Sequence, residues 1–119
     1  MANSRLSIAK YCEYATVDTA PTPVGYFTNP VYPRKDGIDK LFFSIRETDQ
    51  DSSASVMTVK LQFKCPHDGD WTDHKNNGSD WAIGDRILIN EFGTGVAWRA
   101  GVVDFSAYTS GSLTFGFDW

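Results

Sequence analysis

The sequence predicts an all-β fold, a single antiparallel β-sandwich of immunoglobulin-like or jelly-roll-like type spanning residues 1–119. Three observations carry this expectation. Short runs that alternate apolar and polar residues recur along the chain, the period of a strand with one buried face. Turn-forming residues separate the runs, at Asp36-Gly37, Asp68-Gly69, Asn77-Gly78, Gly84-Asp85 and Ser110-Gly111. Nowhere do apolar residues recur at helical spacing through three turns, so almost no helix is expected.

The clearest run is the last, Ser112-Leu113-Thr114-Phe115-Gly116-Phe117-Asp118-Trp119. Its alternation predicts a strand with one face in a core and one in water, and a chain that stops inside its own sheet. From the start, Arg5-Leu6-Ser7-Ile8-Ala9 alternates briefly and reads as a first strand. Residues 10–36 read differently. Pro21, Pro23, Pro30 and Pro33 lack the N–H a ladder needs. Tyr11, Tyr14, Tyr26, Phe27 and Tyr32 lie among them. This stretch is expected to be irregular, an extended arm lying along the domain or on a neighbouring subunit.

Residues 40–47 predict a strand with Leu41, Phe43 and Ile45 on one face, followed by a polar loop over 48–54. Residues 55–64 predict a strand with Met57, Val59, Leu61 and Phe63 pointing one way and Thr58, Lys60, Gln62 and Lys64 the other. A short loop between these two runs predicts that they pair antiparallel. A short strand at Asp70-Trp71-Thr72-Asp73, a strand at Arg86–Asn90 and one over 96–103, with Val96, Trp98, Ala100 and Val102 on one face, complete the set.

Bulk composition bounds the function. A chain of 119 residues fits one domain with one core. With 41% hydrophobic and 22% charged residues it has the balance of an ordered protein. Aromatic residues make up 14%, which favours strands and leaves rings for a contact surface. The net charge is −4, and no basic cluster exceeds Arg34-Lys35, so no nucleic-acid partner is expected. No run approaches the roughly 18 apolar residues of a membrane span. The first residues lead into no apolar signal core, so synthesis and assembly in a cytoplasm are expected. Cys12 and Cys65 fit reduced thiols, with a pairing between them left open.

The densest polar cluster is Cys65-Pro66-His67-Asp68-Gly69-Asp70-Trp71-Thr72-Asp73-His74. It mixes ligand types suited to zinc and to calcium, but its spacing fits neither a zinc knuckle nor an EF-hand loop. A solvated hairpin is the simpler account, and no metal or cofactor is expected. No Gly-x-Ser-x-Gly elbow accompanies the serines, and surface exposure accounts for both histidines. The chain is expected not to be an enzyme. Trp98 and Trp119 fall on the apolar phase of their strands and are expected in or beside the core. Trp71 and Trp81 lie in the loop-rich middle. With Tyr14, Tyr26, Phe27 and Tyr32 they are the candidate protein-contact residues, because large exposed aromatic patches are rare on monomers.

Residues 55–119 carry a resemblance. It begins at the strand Ser55-Val56-Met57-Thr58-Val59-Lys60-Leu61-Gln62-Phe63 and continues through the hairpin Asp68-Gly69-Asp70-Trp71-Thr72-Asp73. It ends with Trp98-Arg99-Ala100-Gly101-Val102 and Tyr108-Thr109-Ser110-Gly111-Ser112-Leu113-Thr114. In these runs the chain resembles small β-sandwich virion proteins of tailed bacteriophages. It departs from their pattern at Cys65-Pro66-His67 and in the aromatic ending Phe115-Gly116-Phe117-Asp118-Trp119. The resemblance implies a virion component, a capsid decoration or cement protein. Such a protein would clamp neighbouring shell subunits through aromatic surface and the 10–36 arm. Its partners would be the major capsid protein or other virion structural proteins, met as a homo-oligomer or as many copies on a lattice. The alternative is a receptor- or carbohydrate-binding β-sandwich module associated with a phage tail.

Overall fold

The structure is a computed structural model that describes residues 11–17, 26–47, 58–90, 93, 95–104 and 112–119. These residues form eight strands and no helix: β1 (Cys12–Val17), β2 (Tyr26–Phe27), β3 (Leu41–Glu47), β4 (Thr58–Lys64), β5 (Thr72–Asp73), β6 (Arg86–Ile89), β7 (Ala97–Asp104) and β8 (Leu113–Asp118). They make two four-stranded antiparallel sheets, ordered β1-β8-β3-β6 and β2-β7-β4-β5. The pairing is nested: β1 with β8, β2 with β7, β3 with β6 and β4 with β5. One long antiparallel ribbon, doubled back between β4 and β5, has wrapped onto itself. This is the jelly-roll form of the sandwich.

Alternation dictates what each strand buries. Leu113, Phe115 and Phe117 of β8 are fully buried, as are Leu41 and Phe43 of β3. Across the sandwich they meet Val59 and Leu61 of β4 and Trp98, Ala100 and Val102 of β7, in one core. Strand β8 lies between β1 and β3, so its outward residues Thr114 and Gly116 are buried too. The expected exposed face is covered by side chains from both neighbours. Thr16 and Thr114 share a hydroxyl hydrogen bond of 2.9 Å, and the Tyr14 ring lies over Gly116.

Two expectations need correction. The runs at 40–47 and 55–64 do not pair, because β3 and β4 lie in different sheets. Each presents an apolar face of similar width, and packing those faces together removes more apolar surface from water than edge pairing does. The described part of 10–36 lies along the domain, one of the two placements expected for it, but is less irregular than expected. Residues 12–17 pair with β8 along their whole length, Val31 bridges to Trp98, and Pro33 and Ile38 are buried. The prolines at 30 and 33 sit outside strands, where a missing N–H costs no ladder bond. The strand expected over 5–9, the loop over 48–54, Met57, Pro21 and Pro23 lie outside the described residues.

Turn chemistry sets the loops around β5. Asn77 (φ 52°) and Gly78 (φ 86°) are both left-handed, and Asn76 and Ser79 exchange backbone hydrogen bonds of 2.9 and 3.0 Å. That is the tight hairpin an Asn-Gly pair favours.

Candidate functional site

The outer face of the β2-β7-β4-β5 sheet is built by residues that alternate with the core. Register places Gln62 between Arg99 and Asp73, and Lys60 beside Gly101, which in turn faces Phe27. At the centre, the guanidinium of Arg99 lies 3.9 Å from the ring centroid of Phe27 and 4.3 Å from that of Trp71. Phe27 reaches in from the β2 flank and Trp71 from the β5 flank, so the two rings clamp a side chain that rises between them. Both contacts fall well within cation–π range.

A polar chain orients this arginine. Arg99 Nε donates to Gln62 Oε1 at 2.9 Å, and Gln62 Nε2 donates to Asp73 Oδ1 at 2.9 Å. The arrangement admits one orientation of the Gln62 amide, since a flipped amide would turn donors toward the guanidinium and its oxygen toward a carboxylate. Alongside, Lys60 Nζ donates to Asp80 at 2.9 Å and lies 3.8 Å from Asp73, while Lys75 Nζ donates to Asp80 at 3.1 Å. Those two hydrogen bonds hold the Asp80 carboxyl below its usual range and, from the other side, raise the Lys60 ammonium. Burial between the rings lowers the pKa of Arg99, which stays protonated at any ordinary pH. Among the described residues no carboxylate forms an ion pair with Arg99.

The candidate contact residues separate. Phe27 and Trp71 come together on this face, whereas Tyr26, in register with the core residue Val102, is on the opposite phase of the edge strand β2 and 48% exposed. Tyr32 is 38% exposed with Lys35 over its ring, but lies in the loop after β2. Tyr14 belongs to the opposite sheet, half-buried under Arg46 at 5.1 Å, and burial pushes its phenol up. Trp81 lies away from this face, partly buried against the core. It packs edge-on against Phe43 and stacks on His74, and its Nε1 donates to the His74 carbonyl at 2.6 Å. An isolated bridge to Val59 carries its backbone to the rim of the core.

The polar loop at 65–74 resolves into turns and pairs. Asp68 Oδ2 accepts from Cys65 N at 3.0 Å, Asp73 serves Gln62, and His67 is exposed. His74 differs from expectation: it is half-buried among the rings of Phe63, Trp81 and Trp98. Beside it a cavity of about 80 Å³ is lined by Leu88, Ile89, Asn90 and Trp98, whose buried Nε1 has no acceptor among the described residues. Among the described residues no group of three or more His, Cys, Asp or Glu converges as a metal site. Cys12 and Cys65 are both free thiols.

A second concavity, of about 370 Å³, opens where Glu13, Asn29, Pro30, Val31, Asp36 and Trp119 meet. Glu13 stands on the inward phase of β1, in the same row as Phe117, Phe43 and Ile87, and is only 9% exposed. Its Oε2 accepts from Asn29 N at 3.3 Å. Sequence reading passed over Glu13, although its phase with Ala15 and Val17 marks it as a carboxylate aimed inward. It also passed over Arg99, whose place beside two distant aromatic residues no local pattern reveals.

Comparison with protein families, with curated proteins and with solved structures finds no match to the chain.

Proposed function

We propose that the chain is a structural protein of a tailed-phage virion, a cement or decoration protein that holds neighbouring shell subunits together by binding, without turnover. The carrying observation is the Phe27–Arg99–Trp71 clamp at the centre of an exposed sheet face. Aromatic residues and arginine are the types that anchor protein interfaces, and a rigid array loses little side-chain entropy on docking. The contact surface in this reading is the β2-β7-β4-β5 face, in place of an arm. Many copies on a lattice would multiply a modest single-site affinity. Jelly rolls serve in viral shells and in lectins alike, so the fold supports this reading by analogy only. Co-sedimentation with phage particles that lack the chain tests it. Wild-type protein should pellet with the particles and the Trp71→Ala variant should stay in solution. Wild-type protein left in solution, or equal pelleting of the two, overturns the proposal.

A second reading has its own support, since Gln62 and Asp73 set hydrogen-bonding groups beside the Trp71 ring, as a sugar platform needs. Binding to a defined glycan on an array, lost with Trp71→Ala, would replace the cement role by a carbohydrate-binding one on a phage tail.

A further inference from the structure

The outer side of the β2-β7-β4-β5 sheet gathers several cations. Its outward side chains include Lys60, Lys64 and Arg99, with Lys75 beside them, against Asp73 and Asp80, in a chain of net charge −4. Lys60 and Lys75 spend their ammonium groups on Asp80. Arg99 does not. Its guanidinium lies against the rings of Phe27 and Trp71, and its Nε is taken by Gln62. What remains is the outer end of the fork, two terminal amino groups whose parallel N–H bonds match the two oxygens of a carboxylate. The rings on either side fix the plane of that fork and shield it from water, which strengthens any charged pair formed there.

We infer that Arg99, held between Phe27 and Trp71, is the receptor for a carboxylate of the binding partner, an Asp or Glu side chain on an acidic protein segment laid across this sheet face. The inference rests on the proposed binding role of that face and names the chemistry it selects. A singly charged carboxylate suits the site better than a phosphate dianion, because Asp73 stands beyond Gln62 in the same row and repels the second charge. The methylene groups of Glu or Asp also find apolar ring surface on both sides. Arg99 and Lys64 are the cations of this face with no ion pair among the described residues, too few for the multiple phosphate contacts of nucleic acid.

The test uses the isolated, isotope-labelled chain and two blocked peptides, one alternating Glu with Ala and its twin alternating Gln with Ala. In an NMR titration the Arg99 Nε–H and the Trp71 indole N–H should shift saturably with the Glu peptide and stay still with the Gln twin. Arg99→Lys keeps the charge but loses the fork, and should weaken binding about tenfold. Equal shifts with both peptides, no saturation in the millimolar range, or undiminished affinity in Arg99→Lys would overturn the inference. So would a stronger response to a uronic-acid oligosaccharide than to the Glu peptide. The comparison of the two peptides on wild-type protein does not depend on any variant folding. If particles bind but the Glu peptide does not, the carboxylate receptor fails and the cement role stands; the reverse result fails the cement role alone.

Discussion

The ring of Phe27 occupies the space that a side chain at Gly101 would need. The two residues face each other across β2 and β7, and a Cβ built on Gly101 collides with the phenyl ring. A glycine inside a strand weakens it, and here the gap admits the ring that forms one jaw of the Arg99 clamp. Gly101→Ala should therefore push Phe27 aside, destabilise the fold by about 1–2 kcal/mol and free Arg99. Urea denaturation would measure the first effect, and loss of the upfield ring-current shifts on the Arg99 side-chain protons the second.

The two tryptophans of the middle segment should part company. Trp71 covers a charged side chain on an outer face, so Trp71→Ala should change stability by less than about 1 kcal/mol and act on binding. Trp81 joins the core through Phe43 and His74 and donates a hydrogen bond, so Trp81→Ala should cost on the order of 3 kcal/mol. Thermal melts of both variants under one set of conditions would show the contrast; equal losses would contradict it.

Acid should erode one local ion cluster. Asp80 has a folded pKa depressed below its ordinary 3.8, chiefly by the hydrogen bond from Lys60 and then that from Lys75. Its stabilisation is present above the unfolded pKa and is lost as pH falls through the lower folded value. Lys60 has a raised folded pKa, so its share is present below the unfolded lysine value and lost as pH climbs through the folded one. Asp80 is exposed and Lys60 partly so, and the effect stays below about 1 kcal/mol and fades with salt. Asp80→Asn should flatten both limbs of the stability–pH curve at low ionic strength and leave the curve at high salt unchanged.

Gly116 should be intolerant of substitution. It has φ 153°, and an added Cβ would collide with the Glu13 carbonyl oxygen and press on Tyr14 Cα. Backbone atoms of a paired strand cannot move aside as a side chain does. Gly116→Ala should cost at least about 3 kcal/mol and displace β1 from β8, read out as faster amide exchange along Glu13–Thr16.

Individual strands were legible because their determinant is local. The alternation of Leu41, Phe43 and Ile45, of Val59, Leu61 and Phe63, and of Leu113, Phe115 and Phe117 follows from the pleat. The Asn77-Gly78 hairpin follows from the left-handed backbone those residues allow. Strand β1 was not legible, because Glu13 breaks its apolar phase and Tyr11 and Tyr14 read as part of an irregular tract. Trp71 and Phe27 were legible as candidate contact residues, whereas Arg99, which lies beside both rings, was not. The three lie on separate strands and loops, and charged residues on polar phases look alike until pairing register selects one.

The sequence by itself determined that this protein is built of strands with one apolar face each, because side-chain alternation is a property of the extended backbone alone. It also set where several turns fall. Only the tertiary structure decided that β3 and β4 face each other instead of pairing, that Trp81 packs against the core, and that Arg99 lies beside both Phe27 and Trp71. Those outcomes depend on which faces bury the most surface together and on contacts between residues far apart in the chain, and no local pattern encodes either.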